Sequence, residues 1–320
     1  MPHAPFIDPA KLGAAISLLE TLTSSVWTRL QYSKQFGISQ REETMTDTMM
    51  LDLKMGIDRL GITGMDVWTC SKRWEPHIGI DWMWTIGSPR LGWLKFAVQA
   101  KRLNLYKLTY GSFDHETRPG IYQIDILERY ARWARATPLY SLYNHLDFGA
   151  LVPAHCPTPS PAACGCLVSG YWRCCKPFAE DQFGCTVTHL SVVRRALEKP
   201  ALPRKQHRPT RKRFAYVHDG EAKTTPWRCL LCPNFMKLVP GKNGNLTHPE
   251  FGEMEVAAEA PEDMRVRLAG ILNLKERDDI EDLLGMTVGP RMIMRIDVDQ
   301  LGNTNLNPPH ENRPGEQFSS

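Results

Sequence analysis

The chain has 320 residues, of which 42% are hydrophobic and 23% are charged, and its formal net charge is +4. These values are typical of a folded protein with a sizeable core and exclude a disordered or collagen-like chain. The small positive charge is compatible with a nucleic-acid partner but does not indicate one. With no run of about 20 apolar residues and no secretory signal at residues 1–6, we expect no membrane association, a cytoplasmic location and mostly reduced cysteines.

Two helices are predicted near the N-terminus. Apolar residues recur at helical spacing through residues 10–36, which predicts an N-terminal helical segment at 1–38. The next helix is predicted to begin near Ser39, because Ser39 and Glu42 have the spacing of a capping box. Acidic residues in a first turn also interact favourably with the helix dipole, which gives Glu42 and Glu43 an alternative, purely structural role.

The middle of the chain predicts an antiparallel hairpin. Runs rich in aromatic and β-branched residues, at 79–86 and 93–102, flank a short turn that contains Gly and Pro. In this hairpin Asp81 comes close to Gln99 and Lys101, on the face opposite to the tryptophans, which are expected in the core. A carboxylate and an amide oxygen suit Mg²⁺, and a nearby lysine can orient a water molecule. An ordinary ion pair between Asp81 and Lys101 is the alternative interpretation.

The elements around the hairpin give the order of the core. A strand at 65–70 precedes the hairpin, and a helix at 121–136 and a strand at 138–144 follow it. Together with the helix that starts near Ser39, the order is helix, strand, strand, strand, helix, strand. We therefore expect an α/β protein.

The hairpin also carries a family resemblance. Asp81, followed by Gln99-Ala100-Lys101, resembles the Asp…Gln-x-Lys signature of one branch of the PD-(D/E)XK, or restriction-endonuclease-like, nucleases. The phrases Gly-Ile-Asp-Trp-x-Trp, Val-Gln-Ala-Lys-Arg-Leu and Pro-Trp-Arg are also similar to a bacterial family known only as a domain of unknown function. The resemblance extends over residues 40–235 and is patchy between 150 and 210. It implies an αβββαβ core with a mixed central sheet at 39–149, completed by residues 214–249.

The resemblance implies a metal-dependent hydrolysis of DNA phosphodiester bonds, with defence against foreign DNA as one setting. Asp81, the side-chain oxygen of Gln99 and the backbone carbonyl of Ala100 would bind Mg²⁺ or Mn²⁺, and Lys101 would orient the attacking water. A glutamate of the first core helix often reaches such a site, directly or through water. Glu43 matches that position best, and Glu42 is the second choice.

Contacts to DNA are expected from several polar and basic residues. Arg102 would meet the phosphate backbone, and Gln123 would contact the site or the DNA unless it is simply solvated. A Cys- and Pro-rich insertion at 150–213 ends in a basic run that either binds phosphates or is a solvated loop. The members of this run chosen as DNA contacts are Arg204, Lys205, Arg208, Arg211, Lys212 and Arg213.

The cysteines suggest a second, structural site. Cys229 and Cys232 have the spacing of half a zinc site, which Cys164 and Cys166 could complete. The alternative is that Cys229 and Cys232 are small buried residues, because free cysteine is often found in protein cores.

The remaining chain, 250–320, is expected to be a C-terminal extension with a mixed-charge helix at 262–284, a strand at 292–298 and a disordered tail.

A rival hypothesis for the whole protein is a catalytically inactive module that binds nucleic acid or protein on the same fold. It rests on Gln99, because an amide in place of a carboxylate removes one negative charge from the metal site. The sequence leaves the oligomeric state open, a dimer included.

Overall fold

The computed structural model describes residues 12–69, 80–107, 109, 110, 113, 116–118, 121–145, 180–198, 224–232, 236, 238–241, 245–249, 251–258 and 292–303. The α-helices are α1 (Gly13–Phe36), α2 (Glu42–Leu60), α3 (Gln123–Ala134) and α4 (Leu190–Glu198), and two short 3-10 helices cover Glu180–Gly184 and Trp227–Leu231. None of the helices in these ranges combines the length and the apolar character needed to cross a bilayer.

The strands are short except for those in the middle of the fold. In chain order they are β1 (Ile62–Thr63), β2 (Met65–Thr69), β3 (Trp82–Ser88), β4 (Gly92–Asn104), β5 (Thr109–Tyr110), β6 (Glu116–Arg118), β7 (Ile121–Tyr122), β8 (Thr137–Tyr143), β9 (Cys185–His189), β10 (Thr225–Pro226), β11 (Val239–Pro240), β12 (Leu246–His248), β13 (Gly252–Met254), β14 (Val256–Ala257), β15 (Met292–Asp297) and β16 (Gly302–Asn303).

The main sheet is mixed, as predicted. Its strands lie in the order β10, β9, β8, β4, β3, β15, β2, with β14 and β5 paired to β4. The β4–β8 and β3–β15 pairs are parallel, whereas the β3–β4, β8–β9 and β15–β2 pairs are antiparallel. The predicted hairpin is present as β3 and β4. The elements α2, β2, β3, β4, α3 and β8 follow one another as predicted, with the short strand β1 between α2 and β2 and the short strands β5, β6 and β7 between β4 and α3. The protein is therefore a mixed α/β protein.

The turn of the β3–β4 hairpin requires glycine. A Cβ atom placed on Gly87 would lie 2.1 Å from the carbonyl oxygen of Gly92, so the two strands approach too closely for any side chain there. Gly92 itself has a φ of +80°, which glycine adopts at little cost. These two residues close the hairpin, and the register that follows from the turn runs to the pair Trp82 and Val98 at its other end.

Tryptophans form the centre of the core, as the alternation predicted. Trp82 and Trp84 are buried, and both rings meet Trp227 edge to face, with centroids 5.8 and 4.8 Å away. The indole N–H of Trp227 donates a hydrogen bond of 2.9 Å to the hydroxyl of Ser141 on β8. The 3-10 helix that carries Trp227 therefore packs against the strands that hold the predicted site.

The C-terminal part of the chain differs from the prediction. The strand expected at 292–298 exists as β15, but it lies inside the main sheet, between β3 and β2. Phe251 and Met254 also belong to the hydrophobic core. The boundary expected at residue 250 thus does not separate an extension from the core, because the sheet completes its hydrogen bonds with a strand from the far end of the chain.

The start of α2 also differs. The helix begins at Glu42 with Arg41 as its N-cap, and no side chain caps it. The predicted capping box of Ser39 and Glu42 is therefore wrong, since the Glu42 carboxylate is engaged with strand β4 instead.

Candidate functional site

The candidate site lies where β3 stops and β4 continues. The backbone N–H of Asp81, just before β3, donates to the Val98 carbonyl at 2.9 Å. Beyond Val98 the N–H groups on this edge of β4 lose their partner strand, and buried N–H groups need another acceptor. The Asp81 carboxylate accepts the Ala100 N–H at 2.6 Å, and the Glu42 carboxylate accepts the Arg102 N–H at 3.0 Å. Two carboxylates thus accept the N–H groups of Ala100 and Arg102, which are the next two on this edge of β4.

The Ala100 carbonyl belongs to the same edge. In an extended strand the N–H and the C=O of one residue point to the same side. Because the Ala100 N–H points to Asp81, its carbonyl oxygen is directed to that side as well. The predicted backbone ligand therefore lies on the edge that carries the Asp81 carboxylate.

Lys101 points its ammonium group at Glu42. The Nζ atom lies 3.4 Å from the Glu42 carboxylate, and the lysine side chain is only 5% exposed. Long charged side chains are rarely this buried unless they are paired. The ion pair thus holds a cation beside the strand edge to which Asp81 and Glu42 bind.

Burial sets the protonation behaviour of Glu42. It raises the pKa of the Glu42 carboxyl above its ordinary value, and this effect outweighs the opposing effects of Lys101 and of the Arg102 N–H. Glu42 is therefore a carboxylate that accepts a proton more readily than a solvated glutamate does.

Of the two adjacent glutamates at the start of α2, Glu42 is the one whose carboxylate contacts β4. Glu43 is exposed, and within the described ranges no hydrogen bond or ion pair joins it to Asp81, Gln99 or Lys101. Successive residues of a helix point about 100° apart, so only one of the two glutamates can face β4. Glu43, the residue preferred from the sequence, is exposed, and its role at the site stays a prediction.

Gln99 is the buried residue directly before the two carboxylate contacts at Ala100 and Arg102. It is 2% exposed, and within the described part of the chain its Oε1 atom is buried without a hydrogen-bond partner. Buried polar atoms are usually satisfied in proteins, and an unpartnered acceptor of this kind is available to a ligand. An amide oxygen is a suitable ligand for a hard cation.

A hydroxyl pair holds α2 against the sheet near this site. The hydroxyl groups of Tyr143 on β8 and Thr46 on α2 lie 2.9 Å apart. Burial raises the pKa of Tyr143 well above its ordinary value, so the phenol stays protonated. This contact lies one helical turn after Glu42 and positions it against β4. No sequence pattern predicts this contact, because residues 46 and 143 are brought together only by the fold.

The other residues predicted for DNA contacts are only partly described. Arg102 is half-buried, and its backbone is held by Glu42. Gln123 is the first residue of α3 and is half-buried; within the described ranges no hydrogen bond joins it to the strand-edge residues. The basic residues at 204–213 lie outside the described residues.

Two of the four cysteines predicted to bind zinc lie within the described residues. Cys229 and Cys232 are buried in the hydrophobic core, at the 3-10 helix Trp227–Leu231. Cys164 and Cys166 lie outside the described residues. Among the residues that the structure describes, no three His, Cys, Asp or Glu side chains are grouped as metal ligands.

The fold and this strand edge define a mixed α/β protein with two carboxylates, an orphan amide oxygen and a buried lysine at one place. The chain belongs to a family of unknown function (DUF6615), whose model matches residues 15–297. No curated protein and no solved structure matches the chain.

Proposed function

We propose that this protein is a metal-dependent nuclease that hydrolyses DNA phosphodiester bonds on a restriction-endonuclease-like core. The order α2, β2, β3, β4, α3, β8 supports the αβββαβ core, with β15 as an additional strand. The single observation that carries the proposal is the gathering of Asp81, Glu42 and Lys101 around β4 where β3 ends.

The donors present fit a magnesium or manganese ion. Asp81, the orphan Oε1 of Gln99 and the Ala100 carbonyl would hold it, with Glu42 in the role expected of Glu43. These are all oxygen donors, and hard divalent cations bind few protein ligands and keep several waters. The metal, when bound, would polarise a phosphate oxygen and lower the pKa of a bound water.

The protein's own residues would stabilise the developing charge and orient the reacting groups. The Lys101 ammonium group would stabilise the negative charge that develops on the phosphate as a water oxygen attacks phosphorus and the ester oxygen leaves. Glu42 holds Lys101 and the Arg102 N–H at the same time, so it keeps this cation oriented. The Arg102 side chain would contact a neighbouring phosphate.

A plasmid-nicking assay tests the proposal. The wild type should nick DNA with Mg²⁺ and not with EDTA, and Asp81→Asn and Lys101→Ala should each lower the rate by at least about 100-fold. Asp58→Asn and Lys54→Ala change side chains elsewhere on α2 and serve as controls that should cut normally. Nicking that survives in EDTA, or equally in Asp81→Asn, would rule out this site as the source of the activity.

The second candidate function is an inactive binding module on the same fold. It is favoured by Gln99, which gives the site an amide where a third carboxylate would otherwise bind metal, and by the lack of a group of three His, Cys, Asp or Glu ligands among the described residues. Isothermal titration with Mn²⁺ separates the two. A catalytic site should bind the ion and lose it in Asp81→Asn, whereas an inactive module should show no specific uptake.

A further inference from the structure

A cleft opens beside the strand edge, between the end of α1 and the end of β4. Its lining includes Ser33, Lys34 and Ser39 on one side and Arg102, Asn104 and Tyr106 on the other. Among the described residues of this lining, two are cations and none is acidic. Such a lining complements a negatively charged ligand.

One exposed aromatic ring lines this cleft, and two more belong to residues next to the lining in sequence. Tyr106, in the lining, is 74% exposed, and Tyr32 and Phe36, which precede the lining residues Ser33 and Gly37, are 52% and 63% exposed. The Tyr32 and Phe36 rings are stacked, with centroids 5.8 Å apart and planes 14° apart. Large rings are seldom exposed together unless a partner covers them.

The turn that presents Tyr106 is fixed. The side-chain oxygen of Asn104 accepts the backbone N–H groups of Tyr106 and Lys107 at 3.1 and 3.0 Å. An Asx-type contact of this kind sets the turn at little entropic cost. The exposed Tyr106 side chain therefore lies beside the cleft on a turn whose backbone is hydrogen-bonded to Asn104.

We propose that this cleft binds a single-stranded segment of nucleic acid, with unpaired bases stacked on Tyr106 and on the Tyr32–Phe36 pair and the phosphates beside Lys34 and Arg102. Interleaved rings and cations are how proteins bind unpaired strands, because every base has a face that can stack. A single-stranded nucleic acid matches both the exposed rings and the positive charge of the lining, whereas a protein partner would be selected by the rings alone.

The cleft is continuous with the candidate site. Arg102 lines it, and the backbone of the same residue is held by Glu42. A nucleic-acid strand in the cleft would therefore pass the end of β4 whose backbone the Asp81 and Glu42 carboxylates bind. In this respect the inference rests on the proposed nuclease function and names its substrate as a strand with unpaired bases.

The test measures binding without cleavage. Fluorescence anisotropy in EDTA, at one fixed salt concentration, compares a labelled single-stranded oligodeoxynucleotide, RNA of the same sequence and the corresponding DNA duplex. Tyr106→Ala and Phe36→Ala should weaken binding of the single strand by roughly 5- to 100-fold and leave duplex binding nearly unchanged. Met55→Ala removes an exposed apolar side chain near the other end of α2 and should change neither. An oligonucleotide that contains 2-aminopurine should be quenched by the wild type and not by Tyr106→Ala.

The outcomes separate the two proposals. Tighter binding of either single strand than of the duplex, lost in both ring variants, supports the cleft whether or not plasmid is nicked. Equal binding of single strand and duplex, or normal single-strand binding by Tyr106→Ala, overturns the cleft even if nicking depends on Asp81. If Phe36→Ala instead changes the sedimentation coefficient and not the affinity for DNA, the rings form an interface between copies of the chain and the proposal is wrong.

Discussion

Glu42 holds Lys101 from the start of a helix that lies elsewhere in the sequence: its carboxylate lies 3.4 Å from the Lys101 Nζ atom and 3.0 Å from the Arg102 backbone nitrogen. One carboxylate thus fixes both the side chain of Lys101 and the strand that carries it. Its neighbour Glu43 is exposed.

This contact predicts different effects for two adjacent glutamates. Glu42→Gln should lower the nicking rate by roughly 10- to 100-fold, because Lys101 loses its orienting charge while the amide can still accept the Arg102 N–H. Glu43→Gln, the matched control, should cut at nearly the wild-type rate. Steady-state nicking of both variants checks this. The opposite result would restore Glu43 as the glutamate of the site.

The raised pKa of Glu42 predicts a pH dependence of stability. In the interval between the ordinary carboxyl pKa and the raised one, the folded state binds a proton that the unfolded state has released, so the free energy of unfolding falls as pH rises. Glu42→Gln lacks this dependence. Urea denaturation from about pH 5 to about pH 8 should show Glu42→Gln gaining stability relative to the wild type. A constant difference between the two proteins would show that the Glu42 pKa is not raised.

The buried side chain of Gln99 predicts that the stability of a variant at this position depends on Mg²⁺. Gln99→Glu buries a carboxylate, which is costly without a cation, so its melting temperature should rise with Mg²⁺ more than that of the wild type. Its nicking should be kept or improved, whereas Gln99→Ala should lose activity because too few ligands remain. Gln31→Glu, on the exposed side of α1, is the matched control. If both Gln99 variants behave like the wild type, Gln99 does not belong to the site.

Trp84 and Lys101 are both buried but have different predicted roles. Trp84→Ala removes a ring that is 1% exposed and packs on Trp82 and Trp227, so it should cost about 3–5 kcal/mol. Lys101→Ala should cost clearly less, because Glu42 keeps the Arg102 N–H and can take up a proton. Chemical denaturation of both variants tests this. An equal loss of stability would make Lys101 a structural residue.

A buried ion pair between Glu20 on α1 and Arg228 gives the last prediction. The arginine side chain is 2% exposed, and removing Glu20 leaves its charge inside the protein. Glu20→Ala should therefore cost about 3–5 kcal/mol. Asp52→Ala breaks the Arg29–Asp52 pair, whose side chains are 40% and 33% exposed, and should cost at most about 1 kcal/mol. Equal costs would mean that burial does not distinguish the two pairs.

Much of the local structure followed from the sequence alone. The hairpin, α3, β8 and the buried face of Trp82 and Trp84 were predicted because side-chain periodicity and turn residues act over a few positions. The same local reasoning brought Asp81 next to Ala100, since a hairpin joins the end of one strand to the start of the other.

The tertiary structure decided what depends on distant segments. It placed β15 inside the sheet, between β3 and the edge strand β2, where pairing with both satisfies backbone groups that lie more than 200 positions earlier in the chain. It also turned Glu42 rather than Glu43 toward β4, because the rotation of α2 is set by the Thr46–Tyr143 contact and by packing on the sheet. Helical periodicity tells which face of a helix is apolar, but only the packed partner determines which polar residue at its edge meets the next strand.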